Sequence, residues 1–248
     1  MKFLRLSSLV AFIAISLITI WLLKAKSSQP TPFKGAGGWT LEQSVTKVVA
    51  GQEPMLVGKN IEYFHPDGRR RTVQISLKPD GTVGRQSVTT VTPGMGVFVE
   101  NEKLKVRYFL EPIRPDYKIG GSVDVEMARK DEGYSRDETV LGYLCLAFRS
   151  EQLDGVVIES FDAVELGRFP IKKIITTNKH TEVTEPTAIR LGTPPEAALV
   201  RNDDWPIDFS VYEKRIAATE ELARTNQQYA RKASEMRLAL EQAKRQLQ

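Results

Sequence analysis

A chain of 248 residues is long enough to bury an ordinary apolar core, and its single cysteine, Cys145, rules out an internal disulfide. The formal charge of +4 has an address: Lys2, Arg5, Lys24 and Lys26 fall among the first 26 residues, where there is no acid, so the remainder carries 31 basic and 31 acidic side chains. A balanced domain lacks the basic face from which counterion release draws its affinity, so nucleic acid is not expected as a partner.

Residues 6–23, LSSLVAFIAISLITIWLL, are uncharged. As a helix they extend about 27 Å, close to the hydrocarbon thickness of a bilayer. The run is longer than the apolar core of a secretory signal peptide, and the small residues near its exit, Ala25 and Ser27, bracket a lysine. The expectation is an uncleaved transmembrane signal-anchor over residues 1–26, with membrane contact through 6–23 and the bulk of the chain outside the cytoplasm. Among the five asparagines none opens an N-x-S/T acceptor, which fits a bacterial envelope, either periplasm or cell surface.

A spacer follows at 27–39, rich in proline and glycine. Its Gly35-Ala36-Gly37-Gly38 follows no strand and opens no helix, so it is no dinucleotide fingerprint. Thr40 and Gln43 have capping-box spacing, and Leu41, Val45, Val48 and Val49 share a helical face, which predicts a short amphipathic helix ending at Gly51. The Gly58-Lys59-Asn60 that comes next lacks the glycine spacing and hydroxyl of a phosphate loop.

From Ile61 the period becomes two. Alternation at 61–63, 73–77 and 83–91 is divided by two Pro-Asp-Gly triplets, 66–68 and 79–81, each suited to a tight turn, so a three-stranded meander is predicted. Further strands are expected at 97–99, 105–110, 121–127, 140–148, 156–161 and 171–177. Many short strands without βα alternation give a mainly β class and an antiparallel sandwich or barrel-like domain over 40–180. Residues 141–148, LGYLCLAF, are apolar on both faces and read as a central strand in which Cys145 is an ordinary core residue.

Three groups carry possible chemistry. Arg69-Arg70-Arg71 is a solvated strand edge or a site for anionic surfaces. The charged stretch 128–138 holds Asp131, Glu132, Asp137 and Glu138, the acidic set best placed for glycoside hydrolysis or calcium. Interleaved Arg129, Lys130 and Arg136 make it read first as a solvated hairpin tip. His65 and His180 have no second ligand at metal spacing, and no nucleophile elbow occurs, so neither metal nor cofactor is expected.

Residues 181–209, with Pro186, Pro194, Pro195 and Pro206, read as an extended connector with a short strand at 188–191. Residues 210–248 contain no proline or glycine and predict one amphipathic helix of about 55–60 Å. In heptads, Leu222, Tyr229, Met236 and Ala243 occupy one seam position and Asn226, Ala233, Leu240 and Leu247 the other. A buried Asn226 would then set the register of a self-associating coiled coil, the alternatives being a helix docked on its own domain or on another protein, or a solvated one. The function read from these features is a membrane-anchored, extracytoplasmic binding or assembly module without catalysis, its partner contacts made by the terminal helix. The alternative is a membrane-tethered enzyme acting on envelope polysaccharide through the carboxylates of 131–138.

Overall fold

The computed structural model describes residues 30–117, 120–152, 154–224 and 226–247. The expected membrane segment 6–23 lies outside the described residues, and among those described no helix is long and apolar enough to cross a membrane.

The period-two alternation produces strands β1 (Trp39–Val48), β2 (Met55–Phe64), β3 (Arg70–Leu77), β4 (Val83–Thr92), β5 (Gly96–Asn101) and β6 (Val106–Glu111). After a helical turn, α1 (Val125–Ala128), come β7 (Tyr134–Val140), β8 (Tyr143–Glu151), β9 (Val157–Ala163), β10 (Phe169–Thr176) and β11 (Thr181–Leu191). The chain closes with a two-residue β12 (Ile207–Asp208) and two helices, α2 (Ser210–Ala223) and α3 (Gln227–Leu247). All twelve strands belong to one sheet in the order β12-β6-β5-β4-β3-β2-β1-β11-β10-β9-β8-β7, antiparallel except for β12 on β6. The domain is therefore mainly β with a helical C-terminus, its strands joined in one sheet.

Both Pro-Asp-Gly triplets turn as read. Gly68 and Gly81 take φ of 92° and 79°, and the Asp67 and Asp80 carboxylates accept the backbone N–H groups of Arg69 and Thr82, each at 2.9 Å. Elsewhere the fold corrects the reading. The stretch expected as a helix from Thr40 is β1, in mid-sheet between β2 and β11. Leu41 and Val45 satisfy period two as well as period four, and β-branched Thr40, Val45, Thr46 and Val48 favour the pleated surface. Residues 121–127 are not a strand: Val123 makes an isolated bridge to Thr31, and Asp124 caps α1 by accepting the Met127 N–H. The run 140–148 is not one central strand. Leu141 and Gly142, at φ 49° and 81°, turn the chain between edge strand β7 and its neighbour β8.

The connector 181–209 begins as the 11-residue β11, paired to both β1 and β10, so the domain does not end at 180. The spacer 27–39 is equally part of the fold in its described portion. Phe33 sits edge-on to Trp39 at 5.9 Å, and a Cβ on Gly35 would come within 2.5 Å of the Trp39 ring, which explains the glycine there. The 210–248 stretch is two helices instead of one, folded against each other.

Two cores result. Trp39, Leu41, Phe64, Cys145, Phe161, Leu166 and Ile171 fill one. Phe98 and Phe109 meet Phe209, Tyr212, Ile216, Leu240 and Ala243 in the other, which docks the helix pair on β5 and β6.

Candidate functional site

Strands β2 and β10 are separated by β1 and β11, about 14 Å on a flat sheet. Yet the rings of Phe64 on β2 and Phe169 on β10 lie 4.6 Å apart, and Trp39 stacks on Phe64 at 4.2 Å. The sheet must curl about β1 and β11, and below these aromatics its concave face opens into a cleft of about 680 Å³.

Pro186 explains how the cleft is built. Having no N–H it cannot continue a central ladder, and it falls at the register shift opposite Glu42 and Gln43. Pairing of β10 with β11 stops at Lys173 and Thr184, so Ile171 needs another partner for its carbonyl. Gln43 supplies it: the buried side chain donates from Nε2 to the Ile171 oxygen at 2.8 Å, while its own Oε1 accepts from Asn60 Nδ2 at 3.5 Å. Beside these amides the nearly buried Glu62 holds Arg70 Nη2 at 2.5 Å and lies 3.4 Å from the Thr72 hydroxyl. The Arg70 guanidinium lies 5.0 Å from the Phe64 ring and 5.2 Å from that of Phe169. Arg70 Nε has no hydrogen-bond partner among the described residues. Val45, Val57 and Ile175 flank this polar floor, and Lys173 and Glu182 complete its charge balance.

The arginine run is no solvated edge. Arg69 forks onto Glu196 at 2.8 and 2.9 Å and reaches Asp67 with Nε at 2.7 Å, Arg70 is in the cleft, and Arg71 donates to the Ala198 carbonyl at 3.3 Å. His65 closes the same group, its Nδ1 2.7 Å from Asp67 and its Nε2 3.5 Å from Glu196. His180 lies apart, within a turn at Thr177.

The four carboxylates of 131–138 are distributed along the turn into β7 and the strand itself. Asp131 pairs with Arg168 at 2.5 Å, Asp137 with Arg129 and the Tyr134 hydroxyl, and Glu138 with Arg136 and Lys172, each at 3.2 Å, while Glu132 is exposed. The hydrogen bond from Arg129 holds the Asp137 carboxyl below its usual range despite some burial. A charged β7 is what an open sheet edge requires, since such side chains block pairing with another chain. Among the described residues no three His, Cys, Asp or Glu side chains are grouped as metal ligands.

The heptad positions are divided. Leu240 is buried, and Met236 and Leu247 pack against the same core, whereas Tyr229 is half-buried and Leu222 is 51 % exposed. Asn226 is not a buried register residue: it stands between the helices, and its Oδ1 accepts the Gln228 N–H at 3.0 Å as the cap of α3. Sequence reasoning gave Gln43, Asn60 and Glu62 no part in a site and read Arg70 only as one member of a charged run. The one available sign was a glutamine standing between Leu41 and Val45 at period two.

No protein-family model and no curated protein matches the chain. Among solved structures it is similar to an uncharacterized conserved protein from Thermus thermophilus, at 12 % identity over 71 % of this chain and 92 % of that one, with a TM-score of 0.43. It is also similar to a LolA superfamily protein from Nitrosomonas europaea, at 11 % identity, 71 % and 96 % coverage and a TM-score of 0.32. A third is a chain of the Pseudomonas aeruginosa MucA/MucB complex, at 14 % identity, 68 % and 58 % coverage and a TM-score of 0.37. These overlaps are too small to carry a function from those proteins to this one.

Proposed function

We propose that the chain is a binding and assembly module of the cell envelope, held at a membrane by residues 6–23, whose cleft receives an extended segment of a partner protein. The observation that carries this reading is the cleft: about 680 Å³, within the size range of ligand sites, with side-chain amides on its floor and valine and isoleucine on its flanks. Amides that donate and accept match peptide groups, and apolar flanks match the side chains between them. The charges lining the cleft cancel, Arg70 against Glu62 and Lys173 against Glu182, which suits a neutral segment better than a polyanion. The helix pair spends Met236, Leu240 and Leu247 on its own sheet, so the partner contact belongs to the cleft rather than to the heptad seam.

The test is site-specific photo-crosslinking of the full-length protein in cells, with the reactive residue at Val57 in the cleft or at Leu238, exposed on α3. A cleft-specific protein adduct, mapped to one contiguous segment and abolished by Ser76→Trp as a plug, is the expected result. Adducts of equal yield from both positions, or insensitive to the plug, would overturn the reading.

A further inference from the structure

A second cavity, of about 410 Å³, lies where the segment after β11 crosses β3 and β4. Arg69, Thr90, Thr92, Glu196, Arg201 and Asp203 are among its walls. Thr90 is 3 % exposed, and its hydroxyl has no hydrogen-bond partner among the described residues. Its register partner Arg71 likewise has a buried Nε without one. Buried polar atoms are ordinarily satisfied, so an unpartnered hydroxyl at a cavity wall marks a place for a ligand atom.

The remaining walls define that ligand's chemistry. The Arg69 fork already holds a carboxylate in bidentate geometry, that of Glu196, whose side chain is otherwise 70 % exposed. Arg201 donates to the Thr92 hydroxyl at 2.7 Å and pairs with Asp203. Arg70, also at the wall, is neutralised by Glu62. Asp67 stays on Arg69 Nε and Asp203 is shared by Arg107 and Arg201, so once Glu196 leaves one positive charge is unbalanced, enough for a monoanion and too little for a phosphate dianion.

We infer that this cavity binds a small organic monocarboxylate, which replaces Glu196 on the Arg69 fork and reaches the Thr90 hydroxyl and Arg201. Glu196 is the internal competitor. Arg69 holds its carboxyl below the usual range, so at neutral pH it occupies the fork as an anion. The exchange involves no bond making or breaking. It releases the exposed Glu196 side chain to water and covers the buried hydroxyl.

The experiment is calorimetric titration of full-length protein in detergent micelles with butyrate at fixed ionic strength, alongside its neutral isostere butyramide and inorganic phosphate. Saturable binding of butyrate and none of butyramide is expected. Glu196→Gln, by discharging the competitor, tightens butyrate by about tenfold or more, and Thr90→Val or Arg201→Gln weakens it by about tenfold. Thr90→Ser, which keeps the hydroxyl, retains the unmodified affinity and separates ligand contact from damage to the fold. The inference is overturned if Glu196→Gln binds no butyrate, if Thr90→Val and Arg201→Gln both leave it unchanged, if butyramide binds equally, or if phosphate binds more tightly.

Discussion

Leu238 and Leu240 lie on the same helix, two residues apart, and the fold gives them opposite surroundings. Leu240 is 9 % exposed, in the core formed with Phe98, Phe109 and Ile216, whereas Leu238 is 61 % exposed. Substituting either by alanine changes helix propensity by the same small amount, so the difference between the two variants isolates burial. Removing a buried leucine loses its transfer free energy and leaves a cavity, together about 3 kcal/mol, while the exposed position changes stability by less than about 0.5 kcal/mol. In a urea titration of full-length protein this lowers the midpoint of Leu240→Ala by roughly 1 M and leaves that of Leu238→Ala in place. If α3 opens by itself, the loss shows instead as faster amide exchange along Gln227–Leu247 with β1 and β11 unaffected. Both variants costing the same would refute the docked helix pair, as would a Leu240→Ala effect that vanishes on dilution, because the leucine would then be buried against a second molecule.

Three further outcomes follow from the same structure. Gly167→Ala, at φ 70° and with its Cβ directed onto the Gly120 backbone, is expected to cost more than about 2 kcal/mol in the same titration, and a neutral result would mean that this contact does not exist. Burial raises the Cys145 thiol to about 12, so the native protein at pH 8 should resist iodoacetamide and react only in denaturant, with rapid native labelling counting against the core placement. Asp137→Asn removes a carboxylate whose folded pKa is lowered by Arg129, a stabilisation present above the ordinary carboxylate pKa and lost as pH falls through the lower folded value. Its cost at pH 7, under about 1 kcal/mol for so exposed a pair, should therefore shrink towards zero on acidification below about pH 4, and a cost that grows instead would reverse the assignment.

The features legible in the sequence are those whose cause is local. Each Pro-Asp-Gly turn is specified by its own residues, and the alternation from Ile61 continues into paired strands. Where two periods fit the same residues, as at Leu41 and Val45, only the neighbouring strands decide, and they lie up to 148 positions away. The Leu141-Gly142 turn was hidden by composition, because a leucine at φ 49° is not an ordinary turn residue. Of the seam residues only Leu222 precedes Asn226, and no proline or glycine marks the break between α2 and α3. The cleft was the least legible feature. Gln43 and Ile171 are separated by 128 residues and meet only because the sheet curls.

The same curl assigns the two faces of the sheet to different work. By register, Trp39, Phe64, Arg70 and Val91 share one face, while Thr40, Tyr63, Arg71, Thr90 and Phe98 share the other. Around β1 and β10 the first face is closed by its own aromatics, and around β5 and β6 the second is closed by the helix pair. Strands β3 and β4 lie between these regions, where neither cover is complete, and both cavities open there. Successive arginines on one strand must point to opposite faces. Arg70 therefore serves the cleft through Glu62, and Arg71 holds the crossing segment through the Ala198 carbonyl. An arginine triplet that reads in sequence as a patch of charge is, on a strand, three separate contacts, and neutralising it in one step would disturb both faces of the sheet together.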